Sequence, residues 1–172
     1  SLRKPGARFG APTTIVGAGA VSSIALAYGA NGDLVVAFQR TLRYGDTRTR
    51  GVYVRIKRKG RQIGPIESLG PSSGYSVIAA AAAEDGSAVV GWGTQDTGEE
   101  ANLPRTVRAA LRKRGATSFS SAQVLDPGGR PQRPAGTVSA TIADGGAATV
   151  AWSGISPRGT LLTYPVRAAG AS

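Results

Sequence analysis

DGSAVVGW, at residues 85–92, is the most informative segment of the sequence, because the chain contains three versions of it. A near copy, NGDLVVAF, lies upstream at 31–38, and another, GGAATVAW, lies downstream at 145–152. In each copy a glycine precedes a short apolar run that ends in an aromatic residue. This pattern is typical of a tight hairpin turn followed by a buried strand. Three such copies predict three versions of one small sheet.

Two further sets of apolar residues recur with nearly the same spacing as these copies. The turn glycines Gly32, Gly86 and Gly146 are 54 and 60 residues apart. Each glycine is preceded by the apolar end of another short strand, at a distance of 17, 17 and 21 residues. The longer third distance is explained by the Pro/Gly-rich stretch DPGGRPQRP at 126–134, a loop that tolerates insertion. A second apolar position stands six residues before each of those ends. The strand ends are Ile15, Leu69 and Leu125, and the earlier positions are Phe9, Ile63 and Phe119.

The repeat predicts a single repeat domain over residues 1–172 with units at about 17–70, 71–126 and 127–172. We expect four strands in each of the first two units and three in the last. The missing fourth strand of the last unit is predicted at the other end of the chain, at 7–16. The predicted strands are 22–28, 34–40, 51–58 and 62–69, then 76–83, 88–93, 105–112 and 119–125, then 137–142, 147–153 and 161–168.

The inner strands are apolar on both faces, which predicts sheets that are covered on both sides. Small residues dominate in VIAAAAAEDG at 77–86, as expected where neighbouring sheets converge. The fold class is therefore predicted as all-β, with β-propeller blades. Three blades are too few for a closed ring, so we expect half of a two-chain ring or part of a longer array. In a ring, strand 7–16 would complete the sheet left open at 161–168, in the same chain or in a partner. A β-trefoil is the alternative, because it also has three four-stranded repeats.

Composition excludes several kinds of chemistry. The chain has no cysteine, histidine or methionine, so disulfides, thiolate zinc sites and histidine-based triads are ruled out. The absence of methionine also leads us to expect that the chain begins downstream of its translation start. No apolar run is long enough for a membrane helix, so no membrane insertion is expected. The formal net charge of +11 favours anionic partners.

In its order of elements the chain resembles the sialidase-like β-propellers with bacterial neuraminidase repeats, or Asp boxes. The segments AAAAEDGSAVVGW (80–92) and VRAALRKRGATSFSSAQVL (107–125) follow that order. RKRGATSF at 112–119 keeps the glycine, a serine and the aromatic residue of the box but lacks its aspartate. The resemblance implies an exported, extracellular or cell-surface bacterial protein. It also implies sialidase chemistry with an arginine triad, a tyrosine nucleophile and an acid, but no spacing ties Tyr44, Tyr53 or Tyr164 to such a set.

Two surfaces are candidate binding sites. The turns after third strands gather basic residues on one rim, which would attract anionic polymers or serve only as a solvated, aggregation-blocking edge. The longer loops of the opposite face carry polar side chains that suit sugar hydroxyls or carboxylates, or are ordinary polar surface. The predicted rim consists of Arg3, Lys4, Lys57, Arg58, Lys59, Arg112, Lys113 and Arg114. The predicted loop-face site consists of Arg43, Tyr44, Asp46, Gln95, Asp96, Glu99, Asn102, Arg130 and Arg133.

No cofactor or metal is expected. GAGAVS at 17–22 imitates a dinucleotide fingerprint but lacks the helix that would receive the phosphates. The aspartates beside the turn glycines do not have calcium-loop spacing. Trp92 and Trp152 are predicted as core residues. We therefore expect a non-catalytic binding or scaffold segment that binds a carbohydrate or another anionic polymer and forms a homodimer, with nucleic acid disfavoured as a ligand. The alternative is a sialidase-like glycoside hydrolase fragment.

Overall fold

The computed structural model describes residues 12, 14–17, 19–44, 47–72, 75–95, 106–126, 133–155 and 161–168. In this part of the chain the regular structure is entirely β, as the sequence predicts, and no helix is present that could span a membrane. The eleven described strands are β1 (Ala20–Tyr28), β2 (Leu34–Tyr44), β3 (Thr47–Lys57), β4 (Glu67–Pro71), β5 (Tyr75–Ala82), β6 (Ala88–Gln95), β7 (Val107–Arg112), β8 (Gln123–Asp126), β9 (Arg133–Ile142), β10 (Ala148–Ile155) and β11 (Leu161–Ala168).

The strands form three antiparallel sheets that coincide with the three sequence units. Sheet 1 has the order β1-β2-β3-β4, sheet 2 the order β5-β6-β7-β8, and sheet 3 the order β9-β10-β11. Each sheet is a simple meander, because consecutive strands are neighbours. The predicted four-stranded antiparallel units are thus confirmed for the first two repeats. The predicted strand 7–16 and its pairing with the last sheet lie largely outside the described residues.

The fourth strands are shorter than the sequence predicts, starting at Glu67 and Gln123 rather than at 62 and 119. In sheet 1, Ile63 makes only an isolated bridge to Lys57, and Pro65 has no N–H to continue the ladder. In sheet 2, the Ser120 N–H still donates to the Leu111 carbonyl at 2.8 Å, but the Leu111 N–H donates to the Ser120 hydroxyl at 3.2 Å and not to a main-chain carbonyl. Apolar pattern alone therefore overestimates these strands.

The three marker glycines occupy equivalent turns. Gly32, Gly86 and Gly146 have φ values of +89°, +87° and +84°. Each amide donates to the carbonyl three residues earlier, at 2.8 to 3.3 Å. A side chain is strained at these φ values, so glycine is required where the hairpin closes. The repeated letters in the sequence thus correspond to one repeated backbone geometry.

Sheet 2 lies between the other two sheets. Val90 belongs to the core shared with sheet 1, Val89 to the core shared with sheet 3, and both are 0% exposed. Trp92 and Trp152 are buried, which confirms their prediction as core residues. The apolar character of both strand faces therefore reflects packing on both sides of sheet 2.

Sheet 1 departs from the expectation that both faces are covered. Ile24, Leu26 and Tyr28 of β1 are 62–63% exposed. In the neighbouring strand β2, Val36 and Phe38 on the same face are buried, and the Phe38 ring stacks on Tyr53 with centroids 6.1 Å apart. Sheet 1 lies at the end of the described stack, so no further described sheet covers this edge of β1.

A buried polar cluster fastens the second unit to the first. The Gln39 side chain, 0% exposed, donates to the Ser72 hydroxyl at 2.7 Å and accepts from the Ser76 N–H at 3.2 Å. Its carbonyl oxygen also accepts from the Ser22 hydroxyl at 2.8 Å. These hydrogen bonds fix the connection between β4 and β5 against β2, because any displacement would leave a buried donor or acceptor without a partner.

Candidate anion-binding edge

The hairpins after the first and third strands lie at the same end of the strands in each sheet, and we call this end an edge. This follows from the meander order, and the Lys59 N–H confirms it by donating to the Asp33 carboxylate of the neighbouring hairpin at 3.1 Å. The third-strand turns at 58–61 and 113–116 have the same geometry, with first-to-fourth hydrogen bonds of 3.0 and 3.1 Å. Gly60 and Gly115 have φ values of +69° and +74°, as a type II turn requires at its third position.

These turns present five exposed cations, which we call the basic edge: Arg58, Lys59, Arg61, Lys113 and Arg114. Lys57, at the end of β3, is half-buried and its ammonium group donates to the Arg61 carbonyl at 3.1 Å. Arg61 is absent from the sequence-predicted rim. It is the fourth residue of the turn that begins at Arg58, so turn geometry is the signal that could have found it.

Arg112 differs from its basic neighbours because its side chain faces inward. It is 3% exposed, its Nε donates to the Ala116 carbonyl at 3.0 Å, and its guanidinium lies 4.0 Å from the Asp33 carboxylate of sheet 1. Burial lowers the pKa of Arg112, and Arg58 adds to this effect, but an arginine remains ionised at neutral pH. Arg112 therefore links two sheets and does not contribute an exposed charge to the rim.

At the same edge Glu84 is exposed, whereas the carboxylates of Asp33, Asp85 and Asp144 are held by backbone N–H groups. Asp85 accepts from Ser87 at 2.8 Å and from Gly145 at 2.8 Å, and Asp144 accepts from the Asp85 N–H at 3.1 Å. The Ser87 and Gly145 N–H groups lower the pKa of Asp85, while slight desolvation opposes them. These bonds connect the first hairpins of sheets 2 and 3.

Glu67 is held in a similar way, since it accepts from the Phe119 N–H at 2.7 Å. Among the described residues, no carboxylate forms an ion pair with any of the five cations of the basic edge. The acidic groups thus support the turns and the sheet contacts, whereas the cations face solvent. The arrangement leaves a local excess of positive charge at the two third-strand turns.

A groove of about 400 Å³ adjoins the basic edge on sheet 2. It lies beside β7, where the segment after Gly115 leaves the ladder, and its lining combines apolar residues of β7 with the polar residues Lys113, Ser118, Ser120, Ser121 and Gln123. Hydroxyl and amide groups next to a cation can bind the hydroxyl and acidic groups of a polar ligand. Sequence reasoning did not single out these serines, because nothing in their spacing distinguishes them from an ordinary loop.

The other predicted site residues are placed only in part. The backbones of Arg43, Tyr44, Gln95 and Arg133 lie at strand ends opposite the basic edge, where Arg43 pairs with Arg48 and Gln95 with Tyr75. Their side chains are outside the described part of the structure. The same holds for all of Asp46, Asp96, Glu99, Asn102, Arg130, Arg3 and Lys4. Within the described residues no group of three or more acidic side chains could hold a metal ion.

Comparison with known proteins does not assign the chain to a class. No protein-family model matches it, and no curated protein matches it. The resemblance to sialidase-like propellers consequently rests on the residues of this chain alone.

Proposed function

We propose that the chain is a non-catalytic β-propeller segment of an exported bacterial protein, and that its basic edge binds an anionic polysaccharide. The blade assignment is supported by three meander sheets with equivalent first turns, stacked face to face. Strands of different units form no ladder with one another in the described part of the chain. That arrangement favours blades over a β-trefoil, in which strands of different units pair around a barrel.

One observation carries the binding proposal: five exposed cations share one edge, where Asp33, Asp85, Asp144 and Glu67 are bound to backbone N–H groups. A repeated turn places Lys59 and Arg114 at the same position in successive sheets. A polymer with regularly spaced negative charges can contact both turns at once, and it releases counterions when it does so. A small anion would gain only one of these contacts.

The chemistry favours a carboxylated or sulfated polysaccharide over a nucleic acid. The turns at 58–61 and 113–116 contain no aromatic residue on which a base could stack. Ser118 and Gln123 in the adjoining groove instead provide hydrogen-bonding groups for sugar hydroxyls. The basic edge and the groove together therefore match a polymer that is both charged and hydroxylated.

The test compares two variants of equal net charge by titrating labelled heparin oligosaccharide at several salt concentrations. Replacing both Lys59 and Arg114 by Gln removes two charges from the basic edge. Replacing both Arg130 and Arg133 by Gln removes two charges from the predicted loop-face site. We expect the first variant to bind more weakly and its salt dependence, log K against log salt, to flatten by about 1 to 2 units. The second variant should bind like the parent.

Three results would contradict the proposal. If the parent does not bind heparin at physiological salt, the basic edge is only a solvated surface. If the Arg130 and Arg133 variant loses binding and the other retains it, the loop face is the site. If a DNA oligonucleotide of equal charge displaces heparin efficiently, the ligand class is nucleic acid.

A further inference from the structure

The first strands of the three sheets form a row. β1 contacts β5, and β5 contacts β9, so each sheet packs on the next through its first strand. In sheet 2 the contact with sheet 1 is made by Ile78, Ala80 and Ala82. In sheet 3 the contact with sheet 2 is made by Val138, Ala140 and Ile142. The same face of the repeat is used both times.

The equivalent residues of β1 are Ile24, Leu26 and Tyr28, which stand at the same distance before the marker glycine as Ile78, Ala80 and Ala82. They are 62–63% exposed, whereas the corresponding side chains of β5 and β9 are half-buried. We call Ile24, Leu26 and Tyr28 the β1 stripe. In the other two sheets the equivalent face packs on a neighbouring sheet, but no sheet among the described residues covers the β1 stripe. Three adjacent large apolar side chains on an exposed strand mark an interaction surface.

The other end of the row has a complementary face. Ser139 and Thr141 of β9 are exposed, and they correspond to Ala25 and Ala27 of β1, whose face receives sheet 2. We call these two residues the β9 stripe. Their side chains are small, like the alanines they replace, so the larger Leu26 and Tyr28 can approach closely. The hydroxyls can pair with the Tyr28 hydroxyl, which would otherwise be buried without a partner.

From these two ends we propose that the chain forms a homodimer in which the β1 stripe of each copy packs on the β9 stripe of the other. The contact repeats the one between successive sheets within the chain. Since each copy has one end of each kind, a two-fold arrangement makes two identical contacts and closes the row. The proposal rests on the blade assignment made above but is independent of heparin binding.

Solution mass with two charge variants tests the proposal. We expect the parent to sediment at twice the 17.4 kDa monomer mass at micromolar concentration. Leu26→Glu in the β1 stripe and Thr141→Lys in the β9 stripe should each weaken dimerisation by about two orders of magnitude, because each buries an unpaired charge. Both positions are exposed in the monomer, so the variants should fold. Far-UV circular dichroism and thermal melting check this.

Mixing the Leu26→Glu and Thr141→Lys variants distinguishes this contact from others. In the mixed dimer one contact joins two parental stripes. The other contact places the introduced carboxylate of one copy against the introduced ammonium group of the other, so we expect the mixture to recover the dimer mass. Val124→Glu serves as a control, since Val124 is 44% exposed on β8 and lies outside both stripes. It should leave the dimer intact.

Several outcomes would overturn the proposal. A parent that remains monomeric up to about 100 μM would do so, given the micromolar association expected of a stable interface of this kind. A dimer broken by Leu26→Glu but not by Thr141→Lys would show that two β1 stripes meet instead. A dimer that resists both variants would place the interface elsewhere. Because mass is measured without polysaccharide, failure here leaves the heparin result intact.

Discussion

Gly91 provides a sharp test of how sheets 2 and 3 pack. The equivalent residues of the other repeats are Ala37 and Ala151, so the repeat pattern predicts that alanine is tolerated at position 91. The structure predicts the opposite. A Cβ atom at Gly91 would lie 2.8 Å from Val150 Cγ1, 3.3 Å from Val150 Cγ2 and 3.4 Å from Val138 Cγ1. Val150 is 0% exposed and cannot turn aside into solvent.

The expected cost follows from two opposing effects. Overpacking a closed core costs about 1–3 kcal/mol, and replacing glycine by alanine returns up to about 1 kcal/mol through the unfolded chain. Gly91→Ala should therefore lower the free energy of unfolding by about 1–2 kcal/mol. Val150→Ala alone should cost about 2 kcal/mol, since it removes buried methyl groups. In the double variant the new methyl occupies the space that Val150 vacates, so the two losses should not add.

Urea unfolding followed by far-UV circular dichroism measures all four proteins. We expect the double variant to be at least about 1 kcal/mol more stable than the sum of the single losses predicts. Gly17→Ala is the control, because nothing lies within 4 Å of a Cβ at that position, and it should change stability by less than about 0.5 kcal/mol. Additive losses, or a Gly91→Ala variant as stable as the parent, would refute the packing of sheet 3 on sheet 2.

Two further predictions concern buried and charged groups. Trp92 is 2% exposed, and its indole N–H has no acceptor in the described residues. Because Phe38 fills the same position in sheet 1, Trp92→Phe should lower the free energy of unfolding by less than about 2 kcal/mol. Trp92→Ala should lower it by about 3–5 kcal/mol. Equal losses in urea titrations would contradict this. The Ser87 and Gly145 N–H groups lower the pKa of Asp85 in the folded protein below its usual 3.8. The charged carboxylate therefore stabilises the fold above pH 3.8, and this contribution is lost as the pH falls through the lowered pKa of the folded state. Asp85→Asn should reduce the loss of stability on acidification below pH 3.8, and an unchanged acid limb in thermal melts would show that these bonds do not favour the charged carboxylate.

The repeated turn explains why most of the fold was predictable. A glycine with positive φ fixes where a hairpin closes, and the apolar run after it fixes which strand is buried. From Gly32, Gly86 and Gly146 the first three strands of each unit follow to within a few residues. The fourth strands were overestimated because Pro65 and the Ser120 hydroxyl alter the ladder locally, and apolar spacing does not report hydrogen bonding.

The candidate site was only partly predictable. Arg112, Lys113 and Arg114 form one basic run in the sequence, yet Arg112 is buried and its two neighbours are exposed. The difference depends on strand register and on Asp33, which is distant in sequence. The exposure of Ile24 and Leu26 was not predictable either, since their pattern is the same as that of the strand packed between two sheets. Local sequence shows that a face is apolar, but not whether a neighbour covers it.

Each repeat forms its own sheet, and the sheets stack through their Ala- and Val-rich faces. Nuclear Overhauser contacts test this directly. We expect strong contacts from the Gly91 Hα protons to the Val150 and Val138 methyl groups, together with Hα–Hα contacts only between strands of the same sheet. Hα–Hα contacts between strands of different repeats, without the Gly91 to Val150 contact, would show instead that the units pair around a shared barrel.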